Sequence, residues 1–219
     1  MNVNVFGRIA AGAVLCLTAA AAEAQAWNYP SMMTPTIVTR QYGLLLANGG
    51  DAGTAIVGQW REGLNSETEF QLEVGFADPD NIDARFMLGG AFARRLTRSS
   101  QEMPLDMVLT GGIYPSFGDP ATLVRIPVQL SMGHRFDLDD SQVVLTPFIN
   151  PRLSFDLCTG GDDDCGEDSS DLSINFDVGL AAELTRNLAL VAAIGFPGGD
   201  SFDDNSFGFG IYWRPGGIR

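Results

Sequence analysis

The sequence predicts an all-β chain, an antiparallel up-and-down barrel of about ten strands, on three observations. Apolar and polar residues alternate with period two in segment after segment, the segments are joined by short turn signals, and no stretch beyond the N-terminal segment shows the 3.6-residue period of an amphipathic helix. Composition agrees. The 219 residues include 26 Gly and 10% aromatics but only 18% charged residues, a turn-rich and lightly charged balance. Thirteen basic residues, all Arg, stand against 27 acidic ones for a net charge of −14, which excludes a basic nucleic-acid binder. The 45% hydrophobic content excludes a disordered acidic tail. A chain of this length closes a single barrel without splitting into domains.

Residues 1–26 read as a secretory signal peptide. Arg8 supplies the charge of a short leading region, 9–22 are almost purely apolar, and Ala22-Glu23-Ala24 or Ala24-Gln25-Ala26 offers the small-x-small cleavage pattern. The apolar run is shorter than the roughly 20 residues of a spanning helix, and no later run reaches that length. Residues 27–35, with Pro30, Pro35 and two Met, are expected to form a short periplasmic lead before a barrel over 36–214 and a tail over 215–219.

The strands follow in order. A weak alternation covers 36–47 and another 52–61, with Asn48-Gly49-Gly50-Asp51 between them. Phe70, Leu72, Val74 and Phe76 then oppose Glu69, Gln71, Glu73 and Gly75, so one face is apolar and the other polar or small. After Asp78-Pro79-Asp80-Asn81, the residues Ile82, Ala84, Phe86, Leu88 and Phe92 share a parity against Asp83, Arg85, Met87 and Gly89. Residues 105–114 form a weaker strand, closed by Phe117-Gly118-Asp119-Pro120. Val124, Ile126, Val128, Leu130 and Met132 oppose Arg125, Gln129 and Ser131, with Pro127 on the polar side. Leu145, Ile149, Leu153 and Phe155 oppose Thr146, Asn150, Arg152 and Ser154, although Phe148 breaks the polar set and Pro147 and Pro151 weaken the segment. Leu172, Ile174, Phe176, Val178 and Leu180 oppose Ser173, Asn175, Asp177 and Gly179. Residues 188–196 follow the turn Thr185-Arg186-Asn187, and Phe207, Phe209, Ile211 and Trp213 close the chain against Ser206, Gly208, Gly210 and Tyr212. Connections this short make antiparallel hairpins. Eight strands are the alternative, with the first hairpin a plug or edge ribbon. Gly89-Gly90 and Gly111-Gly112 lie inside strands, where a missing side chain relieves crowding or permits curvature.

Alternation alone leaves the facing open: apolar side chains point inward in a soluble barrel and outward in a transmembrane one. Three features favour the transmembrane barrel. The strands run about 9 to 15 residues, enough to cross an outer membrane at a tilt. The polar parity is rich in Gly, Ala, Ser and isolated charges of both signs, as a crowded lumen requires. Alternate connections also sort by charge. One set holds Asp51, Asp78, Asp80, Asp119, Asp200, Asp203, Asp204 and the acids of 162–171 without any Arg; the other holds Arg61, Arg94, Arg95, Arg98, Arg135, Arg186 and Arg214 together with Asp137, Asp139 and Asp140. Trp60, Phe76, Phe92, Phe136, Phe155, Phe196 and Trp213 fall near strand ends, where interfacial girdles lie.

A signal peptide, amphipathic strands, the hairpin from Phe176-Asp177-Val178-Gly179-Leu180 through Thr185-Arg186-Asn187 into 188–196, and a final aromatic strand together resemble the small outer-membrane β-barrel proteins of Gram-negative-type bacteria. The resemblance is one of pattern and names no individual member. It implies residence in the outer membrane, contact with membrane lipid and lipopolysaccharide, and insertion by the outer-membrane assembly machinery. Such barrels usually end on an aromatic residue; here Trp213 is followed by Arg214-Pro215-Gly216-Gly217-Ile218-Arg219.

Candidate site residues are few. Cys158 and Cys165 are the two cysteines beyond the signal, and an even pair in an exported chain reads as a disulfide. Asp162, Asp163, Asp164, Glu167 and Asp168 offer hard oxygen ligands for Ca²⁺ or Mg²⁺, though their spacing is not that of an EF-hand and a solvated acidic face is the plainer reading. The charges Glu69, Glu73, Asp83, Arg85, Arg125, Arg152, Asp177 and Glu183 are expected to pair inside the lumen as a compensated network. Catalysis has little support: the one histidine, His134, is followed by Arg135, Phe136 and Asp137, with no nucleophile among them. The expected function is a non-enzymatic integral outer-membrane barrel with a structural or surface-interaction role and a mostly filled lumen. The rivals are a narrow channel or porin for small solutes and a secreted soluble barrel that binds an apolar ligand along the Phe70, Leu72 and Val74 parity. No cofactor or nucleic-acid partner is expected.

Overall fold

The computed structural model describes residues 29–50, 53–79, 83–118, 121–138, 142–160, 170–198 and 205–215. The signal-peptide region, Cys165 and the acidic run 162–168 lie outside the described residues.

Ten strands form the wall: β1 Arg40–Asn48, β2 Thr54–Gly63, β3 Thr68–Asp78, β4 Arg85–Thr97, β5 Asp106–Phe117, β6 Thr122–Gly133, β8 Val144–Thr159, β9 Ser170–Glu183, β10 Leu188–Gly198 and β11 Ser206–Trp213. A two-residue strand, β7 Phe136–Asp137, folds back on the start of β8. Each wall strand pairs antiparallel with its neighbours in sequence. β6 pairs with β8, and β1 closes the ring against β11 from Tyr42 opposite Trp213 to Asn48 opposite Phe207. A closed ring leaves no strand edge unpaired, as a sheet surrounded by lipid requires. β8 contains both Pro147 and Pro151 and is still the longest strand at 16 residues. Its ladder with β9 is continuous, while that with β6 breaks between Arg152 and Ile149, around Pro151, which has no N–H to donate.

Burial settles the facing. The apolar parity is outside: Leu44 is 56% exposed, Phe76 63% and Leu172 63%. The polar parity is inside, with Gln41, Arg61, Glu69, Asn150 and Asp177 fully buried. The alternative of a soluble barrel with Phe70, Leu72 and Val74 around an internal apolar cavity is thereby reversed, because that parity faces outward. An eleven-residue strand such as β3 rises about 36 Å, and at a tilt near 40° it spans about 28 Å, close to the apolar band of outer-membrane barrels.

Outer aromatic rings group near the two ends of this wall. At one end Tyr42 stacks on Trp213 with centroids 5.6 Å apart, Trp60 meets Phe70 at 6.4 Å, and Phe70 meets Phe92 at 5.2 Å. At the other, Phe76 meets Phe86 at 5.3 Å and Phe86 meets Phe117 at 6.4 Å. The connections β1–β2, β3–β4, β5–β6, β8–β9 and β10–β11 leave the end bearing Phe76 and Phe86, and the others leave the end bearing Trp60 and Trp213. Asp78 and Asp171, the described residues of the set expected to be acidic, both lie at the Phe76 and Phe86 end, the acidic end.

The segment expected as a periplasmic lead is inside the barrel from Tyr29 onward: Tyr29, Met32, Met33, Thr34, Ile37 and Val38 are all buried. Residues 36–39, expected to begin the first strand, belong to this internal segment, and β1 starts at Arg40. Pro30 lies close to Gly195 in β10 and Gly208 in β11, near the acidic end, while Val38 lies beside Glu69 at the opposite end. The chain thus runs the length of the lumen before turning into the wall.

Candidate functional site

The lumen is the site, and the wall strands position its charges by parity. Near the Trp60 end, Arg61 and Glu69 form an ion pair at 2.6 Å with both side chains fully buried. Each also holds the internal segment: Arg61 Nη2 donates to the Thr36 carbonyl at 2.7 Å, and Glu69 Oε2 accepts from Val38 N–H at 2.8 Å. Beside them Arg214 Nε donates to Gln41 Oε1 at 2.7 Å and its Nη1 to Glu183 Oε1 at 3.0 Å. Arg135 reaches the second Glu183 oxygen at 3.0 Å.

At mid-height Glu73 accepts from Gln59 Nε2 at 2.7 Å and from Gln71 Nε2. Asp177 Oδ2 receives Arg152 Nη1 at 3.2 Å and Ser31 N–H at 2.9 Å. Asn150 Nδ2 donates to the carbonyls of Ser31 at 3.0 Å and Met33 at 3.1 Å, and Tyr212 donates its hydroxyl to the Met32 carbonyl at 2.7 Å. Nearer the acidic end, Arg125 meets both oxygens of Asp156 at 2.7 Å. Arg85 turns to Ser116 Oγ at 3.0 Å, the Ser116 carbonyl at 3.1 Å and the Ala121 carbonyl. A charge taken out of water needs such partners, because its desolvation otherwise costs several kcal/mol.

Of the eight charges named from sequence, Glu69, Arg125, Arg152, Asp177 and Glu183 enter ion pairs, and Glu73 is held by amides. Two departures stand out. Asp83 precedes β4 and is exposed, because β4 begins only at Arg85. Arg85 is satisfied by a hydroxyl and carbonyls rather than an acid. The partners missed in sequence are Arg61, Arg135, Asp156 and Arg214; the inward parity of β2 and β8 carries Arg61 and Asp156, whereas Arg135 follows β6 and Arg214 lies one residue past β11. Phe148, which broke the polar parity of β8, is a true lumen residue, 2% exposed and seated over Gly179. Gly89 and Gly112 leave room for the Tyr114 ring, and Gly208 for the Met32 methyl: a Cβ at any of the three would collide with that side chain.

The internal segment leaves part of the lumen open. A cavity of about 100 Å³ lies between residues 29–33 and a wall that includes Gln71, Glu73, Thr110, Tyr114, Arg125, Gln129 and Arg152.

His134 does have a nucleophile nearby, contrary to the reading from its sequence neighbours: Ser99 Oγ is 3.4 Å from Nδ1. Both groups converge on the Pro104 carbonyl, which accepts from Ser99 Oγ at 3.1 Å and from His134 Nδ1. A carbonyl only accepts, so Nδ1 carries the proton and is not free to take one from Ser99. The pair fastens the β4–β5 connection. Cys158 stands in β8 opposite Leu123, while its expected partner Cys165 and the expected Ca²⁺ or Mg²⁺ ligands Asp162, Asp163, Asp164, Glu167 and Asp168 are outside the described residues.

No family model matches this chain, and no curated protein matches it. Among solved structures it resembles a bacterial polysaccharide outer membrane secretin, at 11% identity and TM-score 0.48, with 74% of this chain covered but only 56% of the secretin. It also resembles the β domain of the Bordetella autotransporter Brka, at 12% identity and TM-score 0.46 over 80% of this chain and 97% of that one. A third is the N-terminal β-barrel domain of Pseudomonas aeruginosa OprF, at 12% identity and TM-score 0.37 over 80% and 95%. At these identities and scores the likeness names no function for this chain.

Proposed function

We propose that this protein is an integral outer-membrane β-barrel, exported by its N-terminal signal peptide, that serves as a closed structural element with an acidic outward surface. The observation that carries the reading is the inverted distribution of polarity: ion pairs buried in the lumen and an apolar, aromatic-ringed exterior. Water penalises that exterior at about 25 cal/mol per Å² of apolar surface, whereas lipid does not. The resting lumen holds the chain's own residues 29–38, and no side chain of the described network is placed for catalysis. Lipid and lipopolysaccharide surround the wall, and the assembly machinery inserts it. Cys158 and Cys165 form a disulfide across the β8–β9 connection, and the acids of that connection bridge loosely to lipopolysaccharide through Ca²⁺ or Mg²⁺.

The test is heat-modifiability. Membrane-fractionated protein run on SDS gels is expected to migrate differently before and after boiling; recovery in the soluble fraction without detergent would overturn the reading. Chelator is expected to lower the temperature of that conversion if the acidic connection bridges to lipopolysaccharide, and an unchanged temperature removes the cation.

A further inference from the structure

An eight-stranded barrel has a lumen just wide enough for its own side chains to fill. This wall has ten strands, and residues 29–38 occupy the extra width. The wall's hydrogen-bond ladder closes from β1 to β11 without them. Apart from the contact of Thr36 N–H with the Thr34 carbonyl, the segment makes no ladder of its own. Its hydrogen bonds to the wall include two from Asn150 and one each with Tyr212, Asp177, Arg61 and Glu69. Segments with few backbone hydrogen bonds open at lower free energy than the sheets around them.

The surface behind the segment is built to be wet. Gln71 Oε1, Thr110 Oγ1 and Arg152 Nε are buried beside the cavity without a hydrogen-bond partner. An apolar lumen would close on itself once emptied; these groups instead gain hydrogen bonds when water enters.

We infer that residues 29–38 are a displaceable plug, and that the barrel from which they withdraw passes ions and small hydrophilic solutes along the wall of Gln71, Glu73, Thr110, Tyr114, Gln129 and Arg152. The inference rests on the membrane-barrel reading above and adds an activity to it.

Planar-bilayer recording of the purified full-length mature protein in potassium chloride tests it, beside a variant lacking 29–35 and the double variant Asn150→Ala/Tyr212→Phe. The parent is expected to be almost silent. The deletion is expected to raise the time-averaged current at least tenfold, with long openings, and the double variant, which loses three plug hydrogen bonds, is expected to fall between. Each protein is first checked for heat-modifiability, so that failure of the barrel reading shows on the gel, independently of current. Should the deletion not fold, the double variant decides, together with a Thr110→Cys probe labelled by a membrane-impermeant charged thiol reagent and expected to react faster when Asn150 and Tyr212 are replaced. Folded variants with no more current and no faster labelling than the parent overturn the inference, as does a parent that already conducts like the deletion.

Discussion

The two sides of the lumen are built from different residues. β10, β11, β1 and β2 turn inward mostly small or apolar side chains, among them Ala189, Val191, Ala193, Leu45, Ala47, Ala55 and Val57, with Gly208 open beneath Met32. There Tyr29 and Met32 join one buried apolar cluster with the wall. β5, β6 and β8 instead turn in Thr110, Tyr114, Arg125, Gln129 and Arg152 around the cavity that residues 29–33 also line, and touch the segment only locally, through Val108 against Met33 and Ile37 and through Asn150 at Ser31 and Met33. Apolar contact and shape hold the plug on one side; on the other, polar groups keep space for water. A lumen can thus be filled and yet retain a path.

The largest effect expected from breaking this contrast is at the Arg61–Glu69 pair. Glu69→Ala leaves Arg61 buried and uncompensated, a loss of about 3–5 kcal/mol, and also removes the acceptor of Val38 N–H. Its folded band should disappear at a lower temperature and protease should cut within 29–38. Asp156→Ala, at the Arg125 pair on the cavity side, should lower the temperature without exposing the plug; equal cleavage in both variants would dissolve the distinction between the two sides.

A smaller effect separates two glycines. Gly208→Val places atoms where the Met32 methyl lies, and overpacking of this kind costs about 1–3 kcal/mol. Gly111→Val has only the Pro127 carbonyl near its Cβ, at 3.9 Å, and stability within about 0.5 kcal/mol of the parent is expected. Thermal melts in detergent compare them, with the plug-side substitution alone raising bilayer current. The smallest effect is at Arg40, whose 2.7 Å bond to Glu62 lies on the outside with the Arg side chain half exposed. Arg40→Ala should leave both melt and current unchanged, since an exposed pair adds almost nothing.

Much of the wall was legible because a strand's side chains alternate strictly. Phe70 to Phe76 locate β3 as plainly in the sequence as in space, and all ten wall strands overlap their expected segments, to within a few residues at most ends. β8 was harder to read, since Pro147, Phe148 and Pro151 each disturb its pattern. Phe148 makes sense only with Gly179 across from it, a pairing set by register. Site residues divide in the same way. Glu69, Arg125 and Asp177 declare themselves as isolated charges on a polar parity, but Arg214 follows the last strand, where period two no longer says which way a side chain turns. Ser99 and His134 are 35 residues apart and meet only because their connections leave the same end of the barrel.

The sequence by itself determined the strands, their antiparallel order and the side of each strand that is polar, because these follow from local alternation and short turns. The facing, which strand length, lumen composition and charge sorting favour without fixing, how the charges pair, and above all where residues 29–38 go were decided by tertiary structure. That segment has no period and no strand partner; its place depends on the width of a ten-strand ring and on carbonyls meeting Asn150, Tyr212 and Arg61, groups from distant strands that only closure of the barrel brings around it.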